Sequence, residues 1–265
     1  MGVALATCCA SSLGAQTGGE VKDQRVWNLQ GLRAGYCVRF LVDPKTAALE
    51  LKEGFLVLRA DQDETLHSAL RQVVQSQPEF APWIPSSLCF YYTDAVQVGG
   101  RRIVERNPRI AQLIGVWSLA ATEQGNSARR DLVLDMYASR ERLRTAASAN
   151  LVQMHEAEAG FRAPTDTSGT EYRQKIGKTQ LVWSGRTAGD SIRVEGPIVE
   201  TWHVPGVRGV TWSAQFSLSP AWGRLLVGSL RVEGKGDLAN ALKASPIRFV
   251  GPFYHGGGGQ IRFTR

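Results

Sequence analysis

Val210-Thr211-Trp212-Ser213-Ala214-Gln215-Phe216-Ser217-Leu218 alternates strictly between large apolar residues and small polar ones. Side chains of a strand point to opposite faces in turn, so this period of two predicts a half-buried antiparallel strand. The segments around it have the same character. Residues 180–183, 191–195, 198–203 and 225–232 are short apolar or alternating runs separated by Gly or Pro turns. Residues 247–253 and 260–263 read as closing strands around the glycine run 256–259. A short helix over 237–243, capped by Asp237 and stopped before Pro246, interrupts this β-rich half.

Upstream the pattern is mixed. Residues 36–42 form an expected strand with Tyr36, Val38 and Phe40 on one face, and Asp43-Pro44 ends it. Residues 54–60 are a second apolar run. Leu66, Ala69, Leu70, Val73 and Val74 recur at helical spacing, which predicts a helix over 61–77 with Asp63 as N-cap and Pro78 as its end. Trp83 lies in a Pro-rich loop over 80–85. Leu88, Phe90 and Tyr92 alternate, 94–98 continues the strand, and Gly99-Gly100 reads as a hairpin turn into 101–105, which Asn107-Pro108 breaks. Residues 110–121 are ambiguous between helix and strand, 132–137 is a strand, and 140–158 is a second helix stopped by Gly160. Together these predict an α+β fold: a mainly antiparallel sheet or barrel-like core with two or three packed helices. Residues 1–24 read as a leader or flexible segment and 25–265 as one β-rich domain, with a sub-boundary at 164–169.

The chain has 265 residues, 43% of them apolar and 21% charged, a composition far from that of disordered or collagen-like chains. Its net charge of +7 is carried by 24 Arg and 7 Lys against 24 acidic residues. The basic clusters Arg101/Arg102/Arg106/Arg109 and Arg140/Arg142/Arg144 are not interleaved with aromatics, so nucleic acid is not an expected partner. Residues 1–16 are small, apolar and uncharged and end Leu13-Gly14-Ala15, like the back half of a secretory signal; Leu5-Ala6-Thr7-Cys8 is similar to a lipoprotein box. Two locations follow as alternatives. One is periplasmic or extracytoplasmic, with a lipid anchor an option; the other is a cytoplasmic chain with a floppy N-terminus. Cys37 and Cys89 lie in expected strands. They read as buried small hydrophobes, or as a disulfide if the chain is exported. No apolar run is long enough to span a bilayer.

Motifs for known chemistries are missing. His67, His155, His203 and His255 share no metal-ligand spacing, Gly177-Lys178-Thr179 lacks the opening glycine of a phosphate loop, and there is no Gly-x-Ser-x-Gly elbow. No catalytic set, metal or cofactor is therefore expected. The candidate ligand-binding residues are aromatic and polar. Trp202, Trp212 and Tyr254 line a cavity or else fill a tryptophan-rich core, and His203 sits beside Trp202 near a strand end. Lys175 and Lys178 would form a Schiff base only if buried in an apolar cavity.

The order of elements invites a comparison. A strand from Tyr36, then Asp43-Pro44, a short Ala- and Leu-rich helix and Lys52-Glu53-Gly54-Phe55, together with the tail over 238–263, resemble the acetoacetate-decarboxylase-like proteins. The resemblance implies an antiparallel, cone-like β barrel around a small cavity. It also implies chemistry resting on two adjacent lysines, one forming the Schiff base and one lowering its pKa. Lys175 and Lys178 are three apart here and the sequence has no Lys-Lys pair, which argues against decarboxylase chemistry. The family's cytoplasmic setting also conflicts with an exported start. The first functional expectation is thus a non-catalytic binding or accessory subunit with a protein partner, an extrinsic component of a membrane-associated assembly. The second is a cavity-containing enzyme or small-ligand binder of the acetoacetate-decarboxylase-like fold.

Overall fold

A computed structural model describes residues 25–32, 34–104, 112–158, 170–194, 198–206, 211–219 and 221–264. The first strands are β1 (Arg25–Gln30) and β2 (Ala34–Val42). Asp43 ends β2 and caps α1 (Pro44–Glu50): its carboxylate accepts from the Lys45 and Thr46 amides at 3.1 and 3.0 Å, with Pro44 in the first turn. Next come β3 (Phe55–Val57), α2 (Ser68–Ser76) and a 3-10 turn at Pro78–Phe80. β4 (Ile84–Thr93) runs on into β5 (Ala95–Val98), and β6 (Arg101–Val104) returns across Gly99 and Gly100, both at positive φ. β7 (Gln112–Glu123), β8 (Arg129–Ala138), α3 (Glu141–Ala149) and β9 (His155–Glu156) follow. The β-rich half contains β10 (Thr170–Ile176), β11 (Thr179–Val194), β12 (Ile198–Pro205), β13 (Thr211–Leu218) and β14 (Ala221–Gly234). The chain closes with α4 (Asp237–Ala244), β15 (Arg248–Val250), β16 (Phe253–His255) and β17 (Gly259–Thr264). The α+β class holds, with four helices against a large, mostly antiparallel sheet.

Local chemistry explains where elements differ from the sequence pattern. α2 starts at Ser68 because Asp63 is held elsewhere: its carboxylate accepts from the Thr65 amide at 2.9 Å and pairs with Arg129. His67 caps the helix instead, its Nδ1 accepting from the Ala69 amide at 3.2 Å. α3 ends at Ala149 because Asn150 leaves the helix and Leu151 is left-handed at φ 60°; His155–Glu156 then pairs in parallel with β8. Gly160, the expected stop, lies outside the described residues, as do 1–24 and 164–169. Gly236, at φ 105°, is the cap of α4, and Asp237 is its first residue, where its charge favours the helix dipole. Residues 110–121 resolve as β7, which is buried on both faces from Gln112 to Ala121 and therefore shows no period of two. Run 180–183 and residues 191–194 of the second run belong to one strand, β11, broken by a bulge between Ala188 and Ile192; residue 195 lies outside the described residues. In β13 Trp212, Ala214, Phe216 and Leu218 are buried, as the alternation requires; Val210 lies outside the described residues.

The pairings β4–β7–β8–β12–β13–β17–β1–β5 are hydrogen-bonded in series, and β5 is the chain's continuation of β4. The series of neighbours thus returns to its starting strand. The face it encloses forms one apolar cluster that includes Trp27, Tyr91, Val116, Trp202, Phe216 and Phe263. β2 pairs with β4 and joins Cys37 to Cys89, directly opposed in register, through a disulfide. The outer face of β2, β4 and β7 carries Tyr36, Val38, Phe40, Phe90 and Trp117 and packs against the β10–β11–β14 layer and α4.

Candidate functional site

Alternation fixes what each strand turns inward. On β2, Tyr36, Val38 and Phe40 face the outer core, so Cys37, Arg39 and Leu41 face the other way. Arg39 opposes Ser87 of β4, and Ser87 opposes Ser118 of β7, with the two serine hydroxyls 3.0 Å apart. Asp131 of β8 is the register partner of Trp202 on β12, and Glu200 lies two residues before Trp202 on the same face. These side chains converge on a cleft of about 450 Å³, bounded on its outer side by Thr65, His67 and Arg129. That volume lies in the range of small-ligand sites.

The cleft lining holds two carboxyl groups, Asp131 and Glu200, and two guanidinium groups, Arg39 and Arg129, in unequal partnership. Arg129 pairs with Asp63 at 2.9 Å and with Asp131 at 3.2 Å. Glu200 accepts a hydrogen bond from the Trp202 indole at 3.2 Å. Among the described residues, no carboxylate lies within 4.0 Å of Arg39 and no cation within 4.0 Å of Glu200. The two groups still feel each other. Burial and then the charge of Asp131 hold the Glu200 carboxyl above the ordinary carboxylate range, and Arg39 draws it partly back. Burial likewise raises Asp131 against the pull of Arg129. Burial and then Glu200 push the Tyr91 phenol well up. His67 is lowered by burial and by Arg39. Its Nδ1 is already an acceptor in the α2 cap, so the neutral ring carries its proton on Nε2.

The residues singled out from sequence separate into groups. Trp202 is buried, stacked on Phe216 at 5.3 Å and hydrogen-bonded to Glu200. Tyr254, half-buried on β16, is raised by burial, with Arg39 and Glu200 both acting on it, so it shares their surroundings. Trp212 is buried deeper in the ring, edge-on to Phe263, and its indole nitrogen has no hydrogen-bond partner among the described residues. His203 points to the opposite face from Trp202 and pairs with Glu123 at 2.8 Å beside Phe55. Lys175 is exposed and bonded to Glu158 at 2.9 Å; that bond and the Glu158 charge raise its pKa, the reverse of what an amine nucleophile needs. Lys178 is exposed in the β10–β11 turn beside Gly177. All six described lysines are exposed, and none lines the cleft.

Arg39, Asp131 and Glu200 went unnoticed in the sequence because they belong to no spaced motif. The available signal was a charge at an inward position of an otherwise apolar strand, as in Cys37-Val38-Arg39-Phe40-Leu41.

The architecture is that of the acetoacetate-decarboxylase-like fold. The structure of acetoacetate decarboxylase from Legionella pneumophila superposes with a TM-score of 0.50 at 9% identity, over 98% of this chain and 96% of that one. An acetoacetate-decarboxylase-like enzyme from Sphingomonas wittichii RW1 gives 0.48 at 12% identity, over 98% of each chain. At such identities the likeness is one of fold alone. No protein-family model and no curated protein sequence matches the chain.

Proposed function

We propose that this protein is a cavity-containing enzyme or small-ligand binder of the acetoacetate-decarboxylase-like fold. Its ligand is a small polar molecule with an anionic group, held by Arg39 in the cleft beside Asp131 and Glu200. One observation carries this reading: three strands, β2, β8 and β12, each turn a charged side chain into the same cavity. Burying charge costs free energy unless something answers it, and perturbed carboxyl groups in a cleft mark functional sites. Among the described residues no lysine lines the cleft, and the proposal places no Schiff-base step there. The other expectation, a non-catalytic accessory subunit, draws no support from neighbours that are enzymes.

An oxidising, extracytoplasmic setting is part of the proposal. The Cys37–Cys89 disulfide supports it, as does the signal-like character of residues 1–16. Intact mass of the mature chain checks it through cleavage, lipidation and the missing two protons of the disulfide.

Thermal-shift titration with small carboxylates tests the site. The wild-type chain is expected to gain stability with at least one of them, and Arg39→Gln to lose that gain while remaining folded. Equal gains in both proteins would remove Arg39 from the site.

A further inference from the structure

Arg39 and Glu200 look into one cavity, and each lacks an oppositely charged partner within 4.0 Å among the described residues. Both line the same cleft, and the Arg39 charge lowers the Glu200 carboxyl. Arg129 is shared by Asp63 and Asp131 and is not within ion-pair distance of Glu200, which its charge lowers less than that of Arg39 does. With both carboxyls ionised the cleft lining carries Asp131 and Glu200 against Arg39 and Arg129, and Arg129 is also shared with the buried Asp63 behind it. A simple anion on Arg39 therefore meets Asp131 and Glu200 as repulsion. A simple amine on Glu200 meets Arg39 in the same way.

We infer that the cleft takes a small zwitterion of the amino-acid class, its carboxylate on Arg39 and its protonated amine on Glu200 and Asp131. This deepens the proposed function and rests on it. The two halves of such a molecule supply the two missing counter-charges at once, which neither a keto acid nor a monoamine does. The remaining lining fits a short, polar ligand. Ser87 lines it with a hydroxyl group, and the neutral His67 ring offers an Nε2 proton to a carboxylate oxygen. Trp202 donates to Glu200, whose carboxylate keeps further acceptor capacity for a ligand amine.

The test is calorimetric titration of the intact chain near neutral pH with matched probes: L-alanine, β-alanine and 4-aminobutyrate, each against the carboxylate lacking its amine and the amine lacking its carboxylate. At least one amino acid is expected to bind tenfold or more tightly than both of its truncated partners. Glu200→Gln is expected to remove that advantage while leaving affinity for the plain carboxylate unchanged or higher. Asp131→Asn serves as the second variant if Glu200→Gln does not fold. A plain carboxylate that binds as tightly as its amino acid would overturn the zwitterion and leave the proposed cavity binder standing. An amino-acid advantage that survives both substitutions would overturn the assignment to Glu200 and Asp131. No binding by any probe would overturn both readings together.

Discussion

The inward faces of β2 and of four strands of the ring change character within one same-face step. Cys37 gives way to Arg39 on β2, Cys89 to Ser87 on β4, Val116 to Ser118 on β7, Val133 to Asp131 on β8, and Trp202 to Glu200 on β12. On one side lies a packed aromatic interior, and on the other a charged cleft. Both are built from the same strands with the same backbone hydrogen bonds, so the difference is entirely one of side-chain chemistry. The apolar end is where stability resides. The polar end is where stability is given up, because carboxyl groups raised by burial are held in a state the unfolded chain would not impose.

Substitutions should separate the two ends. The largest effect is expected at Trp202, which is fully buried between Phe216 and Tyr91. Trp202→Ala should cost about 3–5 kcal/mol in urea unfolding, as deletions of large aromatics from cores do. A loss under about 1 kcal/mol would mean that the ring interior is not packed as described. Next comes the disulfide, which closes a loop of sequence separation 52 between β2 and β4. Replacing both Cys37 and Cys89 by Ala should cost about 2–4 kcal/mol, chiefly through the unfolded chain. An unchanged denaturation midpoint would show that the bridge does not constrain it.

The polar end should respond with the opposite sign. The folded-state pKa values of Glu200 and Asp131 are raised above their unfolded values. The stability their protonated forms contribute is complete below the ordinary carboxylate range and is lost as pH rises through the raised values. Glu200→Gln cannot lose that proton. Its stability relative to wild type should therefore increase as pH rises from acid to neutral, reaching a gain of up to about 1 kcal/mol. A difference that does not vary with pH would show that Glu200 titrates as an ordinary exposed carboxyl.

How much of this division was legible in the sequence depends on the kind of signal. The apolar end was readable: Trp212, Ala214, Phe216 and Leu218 alternate in sequence and are buried together, and Tyr36, Val38 and Phe40 share one face. Period two is a local property and survives into the fold. The element order and the Asp43-Pro44 turn also carried the fold resemblance, because capping and strand ending act within a few residues. The polar end was not readable. Arg39, Asp131 and Glu200 are separated by most of the chain, and they meet only because β8 and β12 pair in parallel across a long connection. Helices are shorter than their periodicity where a side chain has a competing bond, as at Asp63, since periodicity does not register that competition.

The smallest effect is expected at the lysines. Lys175→Ala and Lys178→Ala should change neither melting temperature nor ligand affinity, because both side chains project into solvent away from the cleft. Borohydride treatment in the presence of pyruvate should likewise leave the intact mass unaltered. A reduced adduct on either lysine would move the chemistry to the β10–β11 hairpin.

The most direct test is a crystal structure of the full chain with whichever small probe stabilises it most. The probe is expected between Arg39 and Glu200, with its carboxylate on the guanidinium and no covalent bond to the protein. Density for it elsewhere, or a cleft closed by side chains so that nothing fits between β2 and β12, would rule out binding at Arg39 and Glu200.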